Sequence, residues 1–360
     1  MIFTDSLLDK KRQNVDNLAD IVVKNIFESP DAQSINKLVA SVSVNNESVS
    51  DGLPDVVKNY FEETNLLPDF ADKKLLKKGS EFFARNAQAI MSVLGYYALP
   101  YCYAAADGAQ VLYLSQKIRN NTVQRLTETG QFVLDVMHPK SFEKEGKGIR
   151  SMQKVRLMHA TVRYHILKRN QWNSAWGMPV NQEDMLGTNL AFSFITLRGL
   201  DKLGIHYSQE EAESFLHLWK VIGAGMGVET DLLPDTLKQA YDLDKKISQR
   251  HFRRSEAGVS LTQALIYAFK ELIPNPVFHT LIPSYLRFML GKEIADLLEV
   301  PESRSSIADN LWFTGIKTIN ALGSNLGYVS DASGVIHALI LQLQKQNAAI
   351  ADFQLPEKTA

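Results

Sequence analysis

The chain reads as an all-α protein, and three observations predict it. Apolar residues recur at helical spacing along most of its length, while convincing two-residue alternation is nearly absent. Helix-start signals recur, with Asn181 three residues before Asp184 and Ser208 three before Glu211. Turn formers such as "RNNT" and "PKSFEKEGKG" punctuate the periodic segments.

Taken in order, residues 5–28 are amphipathic, and the Ser/Asn/Gly/Pro-rich stretch "SVSVNNESVSDGLPDVV" (41–57) reads as a linker. A helix is expected near 73–93, then a bend at "ALPYCYAAADG" and a helix from Ala109 to about Lys117. Another runs from Thr122 to Met137 and stops at His138-Pro139, because proline disfavours helix in the residue before it. Ser151 then caps a helix over 151–169, "SMQKVRLMHATVRYHILKR". Asn181 caps the next, and the Ser208/Glu211 capping box opens the one after. Helices near 259–272, 283–298 and 332–348 complete the pattern.

Composition narrows the function classes. Lysine plus arginine (39) and aspartate plus glutamate (40) nearly cancel, so no global field gathers nucleic acid. The single cysteine, Cys102, allows neither an intrachain disulfide nor a cysteine metal cluster, and its apolar surroundings suit an inert thiol. No apolar run is long enough to span a bilayer, and Asp5 and Asp9 break up the amino terminus, which does not read as a signal peptide. A cytoplasmic protein is expected.

Two polar intrusions stand out on otherwise oily faces. At about 100° per residue, Val155, Met158, Val162 and Ile166 form a stripe, and His159 falls within its roughly 100° width. Arg156 and Arg163 project from the same flank, where they disfavour a protonated imidazole and offer forks to an anion. The plainer account is a core histidine bonded to a carbonyl; the sharper one is a ligand to an iron whose carboxylates meet the arginines, and pattern alone leaves both open. On the preceding helix Arg125 and Thr129 lie one turn apart on the face that carries Phe132 and Val136. An inward arginine must be paired, or reach the surface along its stem.

Other chemistry finds no support. There is no zinc-binding His-Glu-x-x-His helix, Walker loop or nucleophile elbow. His165 and His217 read as structural. Gly223, Gly225 and Gly227 interrupt or end a helix and do not follow a strand, so they suit close approach of a flat ligand or a neighbouring helix better than a dinucleotide.

Several segments together resemble a known family. "VRLMHATVRYHI", the run "GMPVNQEDMLGTNLAFSFITLRGLDKLGI" and "FLHLWKVIGAGMGVETDLLP", with "LPDFADKKLLKKGSEFF" and "QRLTETGQFVLDVM" upstream, are similar to the rubber oxygenase (latex-clearing protein) and mycophenolic-acid-pathway oxygenase family over roughly 65–300. The resemblance implies an all-helical, globin-like bundle around a b-type haem, with His159 as the proximal iron ligand and Arg125 and Thr129 near the haem. It makes Arg156, Arg163 and Arg125 candidates for the propionates. Rubber oxygenases carry a lysine just before that threonine, where this chain has Glu128, and a distal glutamate upstream, where "AAADGAQVLY" offers only Asp107. Glu128 and Asp107 are therefore the candidate distal bases, and the expected substrate departs from polyisoprene.

On this reading residues 1–58 are a helical extension and linker, 59–300 the haem-binding domain, and 301–360 a helical extension packing on it. The expected activity is that of a haem b-dependent oxygenase using dioxygen on a lipophilic alkene or isoprenoid. The alternatives are a haem sensor, store or carrier without catalysis, and a helical lipid-binding module without iron.

Overall fold

The computed structural model describes residues 3–115, 122–273 and 276–302. The fold is all-α; an isolated antiparallel bridge between Ala105 and Phe252 is the one extended pairing among the described residues. The N-terminal group comprises α1 (Asp5–Lys11), α2 (Asn17–Glu28), α3 (Ala32–Ser41) and α4 (Asp55–Glu63). The long α5 (Lys73–Val93) runs through a π-helical turn (Leu94–Ala98) into α6 (Leu99–Tyr103) and α7 (Ala106–Leu114). Next come α8 (Thr122–Met137) and α9 (Gly148–Lys168), then α10 (Gln182–Phe192), α11 (Phe194–Lys202), α12 (Gln209–Gly225) and α13 (Leu237–His251). The described part ends with α14 (Glu256–Leu272), α15 (Leu281–Leu290) and α16 (Lys292–Leu297). The helix expected near 332–348, and nearly all of the extension 301–360, lie outside the described residues.

Local chemistry explains where the helices begin and break. The expected amphipathic run 5–28 is two helices, because the Asp16 side chain accepts from Ala19 N and starts α2 afresh. The expected bend at "ALPY" is a widened turn that stays helical. Pro100 has no N–H for the carbonyl four residues back and its ring crowds that carbonyl, and Leu99 N bonds to Leu94 O, five residues back. Asn181 and Ser208 cap α10 and α12 as the spacing predicts, Ser208 within a complete capping box.

Ser151 does not cap the histidine helix. Its hydroxyl donates to Asp135 on α8 at 2.7 Å, and α9 begins three residues earlier. Buried Asn45 takes over the capping role: its Oδ1 accepts from Ile149 N at 3.0 Å, while its Nδ2 donates to the carbonyls of Ser141 and Glu143. The polar stretch 41–57 thus supplies a cap to α9.

Two apolar cores flank α9. The larger gathers α5–α8 and α10–α16 and includes Ile149 and Met152 from α9; the smaller packs α2–α4 against Leu157, Met158 and Ala160. Helix α12 lies along α5 so closely that a Cβ on Gly79 would fall 2.7 Å from the Ser214 carbonyl oxygen. Among the described residues no helix is long and apolar enough to cross a membrane.

Candidate functional site

His159 stands on α9 where the two cores meet. Its residue is only partly buried, yet Nδ1 is sealed from solvent and makes no hydrogen bond. Burial first, then the positive charges of Arg125 and Arg163, push the imidazole pKa down to about 3, with Asp16 opposing weakly. The ring is therefore neutral near pH 7 and holds a buried polar nitrogen without a partner. Leaving such a group unsatisfied costs about 1–3 kcal/mol, and the nitrogen is available to a partner from outside the chain.

Helix α8 presents Arg125 to α9. Arg125 Nη1 lies 3.1 Å from the thioether sulfur of Met158, the residue before His159, and 3.7 Å from Glu128 Oε2. A thioether is a weak acceptor, and burial lowers the pKa of this guanidinium. Arg125 is thus a largely buried cation with poor compensation. Glu128 also accepts from Gln124 Nε2 at 3.0 Å. Thr129, one turn beyond Arg125, returns its hydroxyl to the Arg125 carbonyl at 2.9 Å and lines a cavity of about 40 Å³. The rest of that lining is mainly apolar and comes from α5 and its π turn, α8 and α14, including Leu94, Tyr96, Leu126 and Phe269.

The other two arginines are already engaged. Arg156 forks onto Asp16 through Nε and Nη2. Arg163, 1% exposed, forks onto Asp20 through Nε and Nη2 and gives Nη1 to the carbonyls of Pro179 and Val180. Neither offers the open fork that the sequence suggests for an anion, because α2 has inserted its own carboxylates. Arg125 is the arginine of the three without a carboxylate fork.

Asp107 joins a different cluster. Arg253 donates to its Oδ1, His251 Nδ1 lies 3.9 Å from Oδ2, and against the cost of burial the neighbouring His251, Arg253 and Arg12 hold its carboxyl below the usual range. The same cluster contains Arg12, Glu183, Asp184 and Arg250. None of these groups lies on α8 or α9, so the structure brings Arg125 up to α9 beside Met158 and His159, sets Glu128 next to Arg125 and Thr129 in the cavity wall, and leaves Asp107 elsewhere. His217 accepts from Asp72 N at 3.0 Å at the start of α5, and His165 packs edge-on against Phe27.

Residues 86–319 match the family described as ER-bound oxygenase mpaB/B'/Rubber oxygenase, catalytic domain. The chain belongs to this family. A relative within reach of the mpaB/rubber oxygenase family is "Rubber oxygenase" of Streptomyces sp. (strain K30), 23% identical over 286 residues, which cover 79% of this chain and 70% of the relative. Among solved structures, "Structure of Latex Clearing Protein LCP in the closed state" superposes with a TM-score of 0.79 at 21% identity, covering 96% of this chain and 95% of that one. That likeness shows the shared all-α fold. Every candidate residue on α8 and α9 lies within the matched region, whereas Asp16 and Asp20 lie before it.

Sequence reasoning missed Asp16, Asp20, Met158 as the neighbour of Arg125, and the cavity wall from the π turn. The aspartates did leave a trace, in their one-turn spacing at the start of a helix whose other face is apolar. The cavity wall left none, since residues from α5 and α14 meet only in the folded chain.

Proposed function

We propose that the chain is a haem b-dependent oxygenase that uses dioxygen on a lipophilic alkene such as an isoprenoid. The observation that carries this reading is the neutral, sealed, unbonded nitrogen of His159 beside the poorly compensated Arg125. Those two features fit a haem: an imidazole free to ligate iron, and a cation free to take a propionate. Among the described residues no group of three or more His, Cys, Asp or Glu side chains could hold a bare metal ion. A single protein ligand is enough where a macrocycle supplies the others.

Haem, when bound, supplies the iron that activates dioxygen. His159 binds and orients it, and Arg125 anchors its acidic edge. Thr129 and the apolar residues around it give the far side of α8 a wall suited to a hydrocarbon. Glu128, next to Arg125, is the candidate distal base on this side, while Asp107 belongs to the separate cluster around His251 and Arg253. Family membership and the rubber oxygenase relative support the oxygenase class and an alkene substrate.

The test is haemin titration of the purified chain, followed by incubation with short isoprenoids under labelled dioxygen. Stoichiometric haem binding and label in carbonyl products are expected. His159→Ala abolishes both, while His165→Ala and His217→Ala retain haem. A chain that refuses haemin overturns the reading. Bound haem that resists carbon monoxide after reduction, with no oxygen uptake, favours a non-catalytic haem protein.

A further inference from the structure

We propose that Asp16 and Asp20 are positioning residues for His159, holding the two arginines that bracket it and offsetting their charge, while Arg125 is left without a carboxylate fork. This rests on His159 being the haem ligand. Arg156 and Arg163 stand three residues before and four after His159, one turn to either side on its own flank of the helix. Each is met by a fork–fork carboxylate, and the two carboxylates are themselves one turn apart at the start of α2.

The surroundings are built around these pairs. Arg163 and Asp16 are buried, so removing either partner leaves an unpaired charge beside the imidazole. The third nitrogen of Arg163 is held by the carbonyls of Pro179 and Val180. Val180 is β-branched at φ 53°, a left-handed conformation that persists only where neighbours over-determine it. The segment carrying the aspartates is fastened to that same loop by Met178 N to Arg12 O (2.8 Å) and Gln182 N to Asn14 O (3.0 Å). On the other side Gly227, at φ 86°, leaves the room that Asp16 and Arg156 fill: a Cβ there would lie 2.6 Å from Asp16 Oδ2 and 2.8 Å from Arg156 Nε. The N-terminal segment, outside the matched catalytic region, thereby completes the environment of His159.

The experiment compares haemin-loaded wild type with Asp16→Asn, Asp20→Asn, Asp16→Glu and Asp20→Glu, reading the iron midpoint potential and the rate of ferric haem transfer to apomyoglobin. Asp9→Asn is the control: it severs an ion pair with Arg250 on α13 and touches nothing on α9. In the asparagine variants the uncompensated arginine favours the less positive ferrous state. The ferrous-to-ferric ratio at fixed potential should rise about tenfold, equivalent to about 59 mV for one electron, and ferric haem should leave about tenfold faster. The glutamate variants return toward wild type, and Asp9→Asn loses thermal stability only. If Asp20→Asn does not fold, Asp16→Asn and the glutamate variants carry the comparison. Loss of thermal stability in all the asparagine variants with potentials and transfer rates at wild-type values overturns the proposal while leaving the haem reading intact; a wild type that binds no haemin overturns both.

Discussion

Replacing His159 by leucine should stabilise the haem-free chain and remove a specific part of its pH dependence. At pH 7 the gain is the cost of the unsatisfied Nδ1, about 1–3 kcal/mol. The pH-dependent part follows from the imidazole pKa, about 3 in the folded chain against an ordinary value of 6.5. Below pH 6.5 the unfolded chain takes up a proton on this ring and the folded chain does not. Wild-type stability therefore falls as pH drops, at up to 1.36 kcal/mol per pH unit, until the folded ring also titrates near pH 3. Between pH 7 and pH 5 this amounts to about 2 kcal/mol, an upper bound because the residue keeps some exposure. His251, whose folded pKa is raised by Asp107 and Glu183 against desolvation, works in the opposite sense but equally in both proteins, as do the carboxylates. Urea denaturation of wild type and His159→Leu at pH 5, 6 and 7 isolates the difference. The gap between the two should widen toward acid while the denaturant slope stays constant. If His159→Leu is instead less stable than wild type at pH 7, with a gap independent of pH, the imidazole is a satisfied core residue and needs no external partner.

Three other outcomes follow from the same geometry. Arg163→Met should destabilise the chain by about 1–3 kcal/mol in urea, because it strands the Pro179 and Val180 carbonyls that the buried guanidinium satisfies and leaves half-buried Asp20 without its partner. Gly227→Ala should cost about 1–3 kcal/mol, measured by thermal unfolding, since it combines a left-handed backbone with collision against Asp16 and Arg156. The raised pKa of His251 contributes stability that is complete below pH 6.5 and lost as pH rises through the folded value. Wild type should accordingly weaken on the alkaline side, and His251→Asn should lack that slope in denaturation midpoints followed from pH 6 to pH 9.

The helices were legible because their signals are local. The capping residues Asn181 and Ser208 act within one turn of themselves, so spacing alone locates them. His159 was legible as a candidate because a polar residue inside an oily stripe contradicts the pattern around it. What spacing could not say is which side of α9 is buried. The chain buries both, with Leu157 and Ala160 at 0% and 1% exposure while Val155 and Val162 remain partly exposed. A helix between two cores has no single stripe, and periodicity reads a stripe.

The same limit explains why the arginines were misjudged. From sequence, Arg125, Arg156 and Arg163 are equivalent inward cations, and nothing local tells which is spoken for. Compensation comes from residues more than a hundred positions away, Asp16 and Asp20 at the other end of the chain, and it reaches two of the three. Arg125 is passed over because what faces it from α9 is the methionine before His159, and its own helix offers only Glu128 at 3.7 Å. Charge accounting therefore does what motif reading cannot. Among the described residues, once the carboxylate forks on Arg156 and Arg163 are assigned, Arg125 remains an under-compensated cation on the helix beside the unbonded imidazole nitrogen of His159, and a ligand carrying both a metal and an acid would satisfy both.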